Sequence, residues 1–397
     1  MLKTILVLIF GALLGFLPST LAGAKAQFIY TDETIPMLDE ARAFRAVVDG
    51  IEIVGADVGP KNGRPVVLVG GFTTSFPYLR KFIRSLVAER FRVFVYNPPG
   101  QGRQQLYSGQ NTATHWLGID GMLKVFEAVR HFAHAETRGK RVVAIGHSLG
   151  GLQVRLGSMG VIFDEAGQAR ISPAALRRAQ EETALLVPMF SMALFGEEVW
   201  STAGQAKVFL LKDATPYLVN CVAKLTCLLP WPLNQISQTV ATTYLRQSQN
   251  SIHRGLFGAQ DLDVQELSQL GHFILPQNVA TQIRRDMARW WAQKAFTTNS
   301  GLNLGEHWRQ LQTSQNAIAA LYVGGEHDSL LDLRPFVNEA QAVSRSQMVV
   351  VQTGHVGAFL SQALPQDLAQ IIDGARDVIV YQGCDRWLKT QPASLAL

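Results

Sequence analysis

The sequence predicts an α/β protein in which a mostly parallel central sheet is flanked by helices and carries an inserted helical cap. Short, fully apolar runs rich in β-branched residues alternate with segments of helical periodicity, which is typical of parallel strands buried on both faces. This alternation stops in the middle of the chain and resumes near its last third. We therefore expect a sheet domain formed by residues 27–156 and 317–397, and a cap formed by residues 157–316.

The start of the chain is typical of a secretory signal peptide. Lys3 supplies a positive charge, residues 5–17 are apolar, and Ala24-Lys25-Ala26 offers a small-residue cleavage site. We expect residues 1–26 to be removed, and the protein to be secreted or periplasmic. A retained membrane anchor is the alternative, but the apolar run is short and Pro18 interrupts it.

The composition favours some partners over others. The chain has 397 residues, with 36 Lys and Arg against 31 Asp and Glu, and this balance does not favour binding to nucleic acid. An oxidising compartment permits a disulfide between Cys221 and Cys227, although a separation of six residues on one helix is poor for a bridge. The sequence has no C-x-x-C motif and no His/Cys cluster, so we expect no metal and no cofactor.

The first part of the chain predicts a regular series of elements. Each apolar run is read as a buried strand, and each amphipathic segment as a helix. In chain order they are a hairpin around Asp49-Gly50, a strand at 65–69, a helix at 78–86, a strand at 91–96, a helix at about 113–135 and a strand from residue 142.

A G-x-S-x-G motif follows the last of these strands and precedes a helix-compatible segment. A serine on a strand-to-helix turn takes a strained backbone conformation, and the close approach of neighbouring backbone leaves room only for glycine at Gly146 and Gly150. The helix N-terminus behind Ser148 favours negative charge. This context predicts a nucleophile at Ser148. The alternative is a chance motif in a chain with 34 glycines.

A glycine turn leaves the strand at 65–69 and is the candidate oxyanion hole. The turn, Gly70-Gly71-Phe72-Thr73, lies where α/β folds build their sites, at the carboxyl end of a central strand. We expect the backbone N–H groups of Phe72 and Leu149 to bind the oxyanion, and Thr73 to contact the substrate. The alternative is a plain glycine turn between a strand and a helix.

The middle of the chain, residues 157–316, shows mainly helical patterns. Residues 217–233 are almost wholly apolar, with Lys224 as the one charge. They predict either a lid that forms an apolar pocket and makes transient contact with a membrane or lipid surface, or the core of a helical subdomain. We expect Met189 and Phe190 to line an acyl pocket.

Two further candidates lie in the last third. Asp328 follows an apolar strand run at 317–323, where a carboxylate can orient an imidazole; Glu326 and Asp332 are its competitors. His355 lies in a glycine-containing loop directly after the strand at 348–351, which predicts the general base. Among the other histidines, His147 is expected to point away from the reacting atoms.

The chain order Ser148, Asp328, His355 resembles that of the α/β-hydrolase superfamily, and of bacterial esterase- and lipase-like members in particular. The motifs GHSLGG, GGEHD and TGHVG carry the resemblance, which covers about residues 45–157 and 317–374. It implies an eight-stranded type of sheet with a cap, these three residues as a catalytic triad, and a small-molecule or lipid ester as substrate.

Two departures and two alternatives accompany this resemblance. Gly70-Gly71 replaces the usual His-Gly, and Asn97-Pro98-Pro99-Gly100 replaces the usual Asp-x-x-Gly turn. One alternative is an acyltransferase or polyester synthase of the same fold, although those synthases use a cysteine where this chain has Ser148. The other is a non-catalytic binding protein that kept the fold.

Overall fold

A computed structural model describes residues 26–35, 37–72, 74–99, 118–196, 198–201, 281–314, 317–328 and 330–381. The described strands are β1 (Ala26–Tyr30), β2 (Arg42–Val48), β3 (Ile51–Val58), β4 (Arg64–Val69), β5 (Phe91–Tyr96), β6 (Val142–His147), β7 (Val161–Phe163), β8 (Ala169–Ile171), β9 (Thr183–Met189), β10 (Ala320–Gly325) and β11 (Ser346–Val351).

The helices alternate with these strands along the chain. A short 3₁₀ helix (Phe76–Leu79) precedes the described α-helices, which are α1 (Arg80–Ala88), α2 (Ile119–Glu136), α3 (Leu149–Leu156), α4 (Pro173–Glu182), α5 (Glu198–Ser201), α6 (Thr281–Gln293), α7 (Leu304–Gln312), α8 (Leu333–Ala342), α9 (Gly357–Leu360) and α10 (Leu364–Tyr381). No helix in the described part of the chain is long and apolar enough to cross a membrane.

Nine strands form the central sheet, in the order β1-β2-β3-β5-β4-β6-β9-β10-β11. The six strands from β5 to β11 in this order run parallel, whereas β1, β2 and β3 pair antiparallel at one side. The remaining pair, β7 and β8, forms a separate hairpin. The predicted α/β class with a mostly parallel sheet is therefore confirmed.

The hairpin between β2 and β3 has the turn that its sequence predicts. Asp49 and Gly50 have φ values of 49° and 80°, so both central residues lie in the left-handed region required by the tightest hairpin turns. Val48 pairs directly with Ile51 across the turn. Strand β1, which the sequence analysis did not identify, adds to the outer side of β2 and leaves Ile29 exposed.

The core forms a layer on each face of the sheet, and β6 shows why. Val143 and Ile145 point into one layer, while Val142 and Ala144 point into the other, because successive side chains of a strand face opposite sides. The first layer receives α1, α9 and α10. The second receives α2, α3, α6, α7 and α8.

The predicted start of the cap at residue 157 is wrong. Strand β9, all seven residues of which are buried, lies inside the sheet between β6 and β10. The sequence does not predict this strand, because its apolar run contains Pro188 and proline is uncommon in a central strand. Helices α6 and α7 also bury Trp290 and Trp308 in the same core layer as α2 and α3.

Several other predictions lie outside the described residues. They are the apolar stretch at 217–233, the cysteines Cys221 and Cys227, and the signal peptide up to residue 25. Ala26, the last residue of the predicted signal peptide, is the first residue of β1.

Candidate active site

Ser148 occupies the turn between β6 and α3. Its backbone has φ 55° and ψ −116°, a left-handed conformation that is strained for a residue other than glycine. Its N–H donates to the carbonyl of Met189 at 2.8 Å, and its carbonyl accepts from the Ser191 hydroxyl at 2.8 Å. These bonds hold the turn to the end of the neighbouring strand β9. The side chain of Ser148 is partly exposed, while residues 142–147 and 149–156 are buried.

The two glycines of the motif lie where a side chain has no room. A Cβ atom on Gly146 would stand 2.1 Å from the carbonyl oxygen of Gly150, and one on Gly150 would stand 2.4 Å from the carbonyl oxygen of Val69. Both approaches involve backbone atoms, which cannot move aside without a shift of α3 or β4. The close approach expected at these positions is therefore present.

The glycine turn after β4 runs beside Ser148. A Cβ atom on Gly71 would stand 3.2 Å from the Cβ of Ser148. The half-buried Phe72 packs against the core layer that contains α2 and α3. Leu149 is the first residue of α3, and N–H groups in the first turn of a helix have no acceptor within it. Thr73, the predicted substrate contact, lies outside the described residues.

Asn97 fixes the far side of this turn. Its side-chain oxygen accepts from the N–H of Phe76 at 2.9 Å, and its amide nitrogen donates to the Ser75 hydroxyl at 3.3 Å. The turn itself is closed by the Thr74 hydroxyl, which donates to the Gly71 carbonyl at 3.0 Å. Asn97, noted in the sequence only as a departure from the usual motif, thus connects the end of β5 to the segment after the glycine turn.

Asp328 and His355 meet at the carboxyl end of the sheet. The Nδ1 atom of His355 lies 2.7 Å from Oδ2 of Asp328, and the two side chains are 7% and 4% exposed. Oδ1 of Asp328 accepts from the backbone N–H groups of Leu330 and Leu331 at 2.9 and 3.1 Å. Since both carboxylate oxygens have donors, the carboxylate is fixed. A carboxylate at Nδ1 holds the proton there and leaves Nε2 of a neutral imidazole free to accept one.

The competing carboxylates have other roles. Asp332 caps the N-terminus of α8, where its Oδ1 accepts from the N–H of Arg334 at 2.9 Å. Glu326 is exposed on the turn after β10. Of the three candidates, Asp328 is the one whose side chain bonds to His355.

The histidines on α2 are also separate from this site. His131 pairs with Glu182 at 2.7 Å, and His134 contacts the carbonyl of Lys140 at 2.9 Å. Both contacts connect α2 to its neighbours in the fold, so neither ring approaches Asp328.

His147 has contacts that the sequence analysis did not foresee. Its Nε2 lies 2.8 Å from the backbone carbonyl oxygen of His355, and its Nδ1 bonds to the hydroxyl of Tyr78. Burial and the nearby His355 lower the pKa of His147 well below its usual value. Tyr78, predicted only as part of a helical pattern, is fully buried, and burial raises the pKa of its hydroxyl.

Met189 and Phe190, which are predicted to line an acyl pocket, lie at and just after the end of β9. The Met189 side chain is fully buried in the core layer that contains α1 and α10. Phe190 is also buried, and its ring packs 6.5 Å from that of His355 and 6.0 Å from that of His147. Met189 therefore belongs to the core, while Phe190 lies beside the His355 and His147 rings and, with Asp328, lines a small cavity.

A buried ion pair lies beneath the Ser148 turn. Arg155 of α3 and Glu339 of α8 are both fully buried and bond at 2.5 Å. Arg155 also donates to the Ser191 hydroxyl at 2.9 Å, and this hydroxyl in turn donates to the carbonyl of Ser148. No sequence signal marked this pair, because Arg155 appears there as one charged residue on a helix.

The comparisons with known proteins agree with this architecture. The model of the alpha/beta hydrolase family matches residues 66–371, which is most of the chain. The chain belongs to the alpha/beta hydrolase family. No curated protein sequence matches this alpha/beta hydrolase.

Solved structures show the same fold at low sequence identity. A bacterial membrane phospholipase A is 15% identical, with a TM-score of 0.51 over 96% of this chain and 98% of that chain. A structure from work on carboxylesterases of Nitrososphaera gargenis is 13% identical, with a TM-score of 0.51 over 89% of this chain and 99% of that chain. At these identities the likeness concerns the fold of this alpha/beta hydrolase, not its substrate.

The described part of this alpha/beta hydrolase contains no group of three His, Cys, Asp or Glu side chains arranged to hold a metal ion. The groups that the described residues do bring together are a hydroxyl-bearing strained turn, a carboxylate-bound imidazole and a glycine turn. Such groups are suited to nucleophilic attack and proton transfer.

Proposed function

We propose that this alpha/beta hydrolase is a serine hydrolase that cleaves carboxylic esters through Ser148, His355 and Asp328. The observation that carries the proposal is the buried bond of 2.7 Å between His355 and Asp328, at the same sheet edge as the strained turn of Ser148. Membership of a hydrolase family supports the reaction class. The substrate is a small-molecule or lipid ester, which enters from the side on which Ser148 is partly exposed.

The reaction proceeds in two steps. Nε2 of His355 takes the proton of the Ser148 hydroxyl as its oxygen attacks the ester carbonyl carbon. The tetrahedral intermediate collapses, the carbon–oxygen bond of the ester breaks, and the leaving alcohol takes the proton from His355. A water molecule, deprotonated by His355, then attacks the acyl-enzyme, and the acid leaves as the proton returns to Ser148.

The backbone supplies the remaining stabilisation. The N–H groups of Leu149 and Phe72 bind the negative oxygen of each intermediate, where the first turn of α3 adds a favourable partial charge. Asp328 keeps the proton of neutral His355 on Nδ1 and stabilises the imidazolium that forms in each step.

Replacement of the nucleophile tests the proposal. We expect Ser148→Ala to lower kcat/KM for short p-nitrophenyl esters roughly 10³-fold or more, because the covalent route is lost. A matched control is Ser314→Ala, which removes a hydroxyl bonded to the Leu311 carbonyl at the end of α7, and which should keep wild-type activity. Unchanged ester hydrolysis by Ser148→Ala would refute the assignment.

A fluorophosphonate probe separates this enzyme from a non-catalytic relative. Mass spectrometry should find the wild-type adduct on the peptide that contains Ser148, and no adduct there in Ser148→Ala. Product analysis with and without an alcohol acceptor distinguishes hydrolysis from acyl transfer, since both reactions share the acyl-enzyme.

Export and contact with lipid are further parts of the proposal. N-terminal sequencing of the exported protein should give a sequence that begins at Gln27, as the cleavage motif at residues 24–26 indicates.

Faster hydrolysis of emulsified than of dissolved esters would support contact between the cap and a lipid surface, which the apolar residues 217–233 suggest.

A further inference from the structure

A continuous chain of hydrogen bonds connects the glycine turn to the backbone of His355. The N–H of Gly71 bonds to the hydroxyl of Tyr78 at 3.3 Å, and this hydroxyl bonds to Nδ1 of His147. At the other end of the ring, Nε2 of His147 lies 2.8 Å from the carbonyl oxygen of His355. The chain thus joins residues that are far apart in sequence through one imidazole.

The chemistry of the groups fixes every direction in this chain. A carbonyl oxygen only accepts, so Nε2 of His147 carries the proton and donates to His355. Nδ1 of the neutral ring is then an acceptor, and the Tyr78 hydroxyl donates to it. The oxygen of Tyr78 in turn accepts the N–H of Gly71. Since burial and the neighbouring His355 lower the pKa of His147 well below its usual value, the ring keeps this neutral form.

Neighbouring residues pack closely against the ring of His147. It meets Phe359 at a centroid distance of 4.9 Å and an angle of 75°, and the His355 ring also at 4.9 Å. The glycine turn also lies against the ring, since a Cβ atom on Gly71 would stand 2.9 Å from Nδ1. Tyr78 and His147 are 0% and 1% exposed, so water does not compete for these bonds.

We propose that His147 is a positioning residue that sets the backbone of His355 and the backbone of the glycine turn relative to Ser148. This inference rests on the function proposed above. Asp328 orients the side chain of His355, while His147 holds its main chain. Because His147 directly precedes Ser148, the nucleophile, the general base and the predicted oxyanion donors share one anchor. A displacement of about 1 Å between such groups lowers rates by up to about 100-fold.

The alternative is that His147 merely fills the core. Two amide variants separate these roles, since each keeps half of the ring's contacts. Gln at this position reaches the place of Nε2 and keeps a donor for the His355 carbonyl. Asn reaches the place of Nδ1 and keeps the acceptor for Tyr78, but has no donor for His355.

We expect His147→Asn to lower kcat about 10- to 100-fold, with KM within about twofold of the wild type. His147→Gln should restore most of kcat. Rates are expressed per active site titrated with a fluorophosphonate, so that loss of folded protein does not imitate loss of turnover. The matched control is His134→Asn, at a residue on the surface of α2. Its kcat per titrated site should equal that of the wild type.

Tyr78→Phe decides the case if His147→Asn fails to fold. It removes one hydroxyl, keeps the ring, and leaves the Gly71 N–H and Nδ1 of His147 without their partner. We expect kcat per titrated site to fall about 10-fold at unchanged KM. Equal turnover per titrated site in His147→Asn, or in Tyr78→Phe when His147→Asn does not fold, would overturn the positioning role.

The outcomes also distinguish this proposal from the proposed function. If wild-type Ser148 labels with the probe and turns over esters, but the variants match it, only the positioning role is refuted. If the wild type neither labels at Ser148 nor hydrolyses esters, the proposed function fails and the positioning role falls with it.

Discussion

Ser148 and Phe190 have positive backbone φ angles and directly follow β6 and β9, two adjacent parallel strands of the sheet. Their φ values are 55° and 47°, and such conformations cost about 1–3 kcal/mol each in residues other than glycine. The N–H of Ser148 bonds to the carbonyl of Met189, the residue before Phe190. This bond connects the two strained turns, of which one presents a partly exposed hydroxyl and the other an aromatic ring that packs against His355.

The carboxylate of Asp328 offers a sharp single-residue test. We expect Asp328→Asn to lower kcat roughly 10³- to 10⁴-fold, because an amide can donate to Nδ1 of His355 and so favour the wrong tautomer. The oxygen of the new amide still accepts from the N–H groups of Leu330 and Leu331, which keeps the loop in place. Steady-state kinetics on a short p-nitrophenyl ester measure the effect.

Asp332→Asn is the matched control, four residues further along. Asp332 caps α8, and asparagine caps helices about as well as aspartate. The activity of Asp332→Asn should stay within about twofold of that of the wild type, and the melting temperature of this variant should change little. A loss of activity at residue 332 as large as that at residue 328 would contradict the role given to Asp328.

The position of a residue at the sheet edge was predictable where that residue follows an apolar strand run in the sequence. Ser148, Asp328 and His355 each follow an apolar strand run, and strand ends of a parallel sheet meet at one edge. Tyr78 was not predictable, since its bond to His147 crosses 69 residues. The bond of His147 to the His355 carbonyl crosses 208 residues, and no local pattern reports such a contact.

At the scale of elements, the N-terminus of α2 is capped by another helix. Its N-cap residue, Gly118, has no side chain, and Oδ2 of Asp286 in α6 accepts the N–H of Ile119 at 2.7 Å. A second carboxylate, Asp120, lies in the first turn of α2 and is 1% exposed. Burial and the charge of Asp286 raise the pKa of Asp120 to about 6, against bonds from Asn299 and the charge of Arg289 that lower it.

This pair predicts that stability depends on pH. Because the pKa of Asp120 is higher in the folded chain than the ordinary value of 3.8, the folded state binds more protons between pH 4 and 6. The contribution of Asp120 is fully present below pH 4 and is lost as the pH rises through about 6. Asp120→Asn removes this loss and should raise the free energy of unfolding above pH 6 by up to about 3 kcal/mol.

Urea unfolding of wild type and Asp120→Asn at pH 4.5 and 7.5 measures this difference. The variant should gain most at the higher pH and little at the lower one. Asp39→Asn, at an exposed position, controls for the loss of one negative charge. An equal gain for Asp120→Asn at both pH values would contradict the raised pKa.

The elements themselves were predictable where apolar runs are uninterrupted. Strands β4 and β5 begin and end within one residue of the predicted runs, and β6 begins at the predicted residue 142, because their buried residues form continuous stretches. Strand β9 was missed because of Pro188. Strand β1 was missed because its residues are mostly exposed and its one partner, β2, comes more than ten residues later.

At the scale of the whole molecule, one buried carboxylate joins several elements. Oε1 of Glu339 accepts from Arg155 at 2.5 Å, from the indole of Trp308 at 2.9 Å and from the hydroxyl of Tyr322 at 2.9 Å. Its other oxygen accepts from the N–H of Leu194. Helices α3, α7 and α8, strand β10 and the segment after β9 therefore meet at Glu339.

Removal of the Glu339 charge from this network should destabilise the folded protein. We expect Glu339→Gln to lower the free energy of unfolding by about 3–5 kcal/mol, because Arg155 is left charged and unpaired in the interior. The double variant Arg155→Met/Glu339→Gln should be more stable than Glu339→Gln alone, since no buried charge remains. Urea unfolding curves for both variants and the wild type give the comparison.

Measurement of the single variant Arg155→Met completes a double-mutant cycle for Arg155 and Glu339. If the free-energy losses of the two single variants add up to that of the double variant, the two side chains do not interact. Such additivity would contradict a contribution of the ion pair between Arg155 and Glu339 to stability.

The parallel order of the central strands followed from the sequence at this scale, but the division into sheet domain and cap did not. Residues 157–201 and 281–314 fall in the predicted cap. They nevertheless contribute β9 to the sheet, and α6 and α7 to one of its core layers. Their place is decided by packing partners such as Glu339 and Asp286, and composition does not encode such partners.

The bond between Asp286 and Ile119 also marks a junction along the chain. Residues 100–117 lead from β5 to α2, and residues 202–280 lead from α5 to α6. One carboxylate therefore joins the two helices at which the described chain resumes after these segments. Any change to the residues that join α5 to α6 should preserve the framework only if α6 still delivers its carboxylate to that amide.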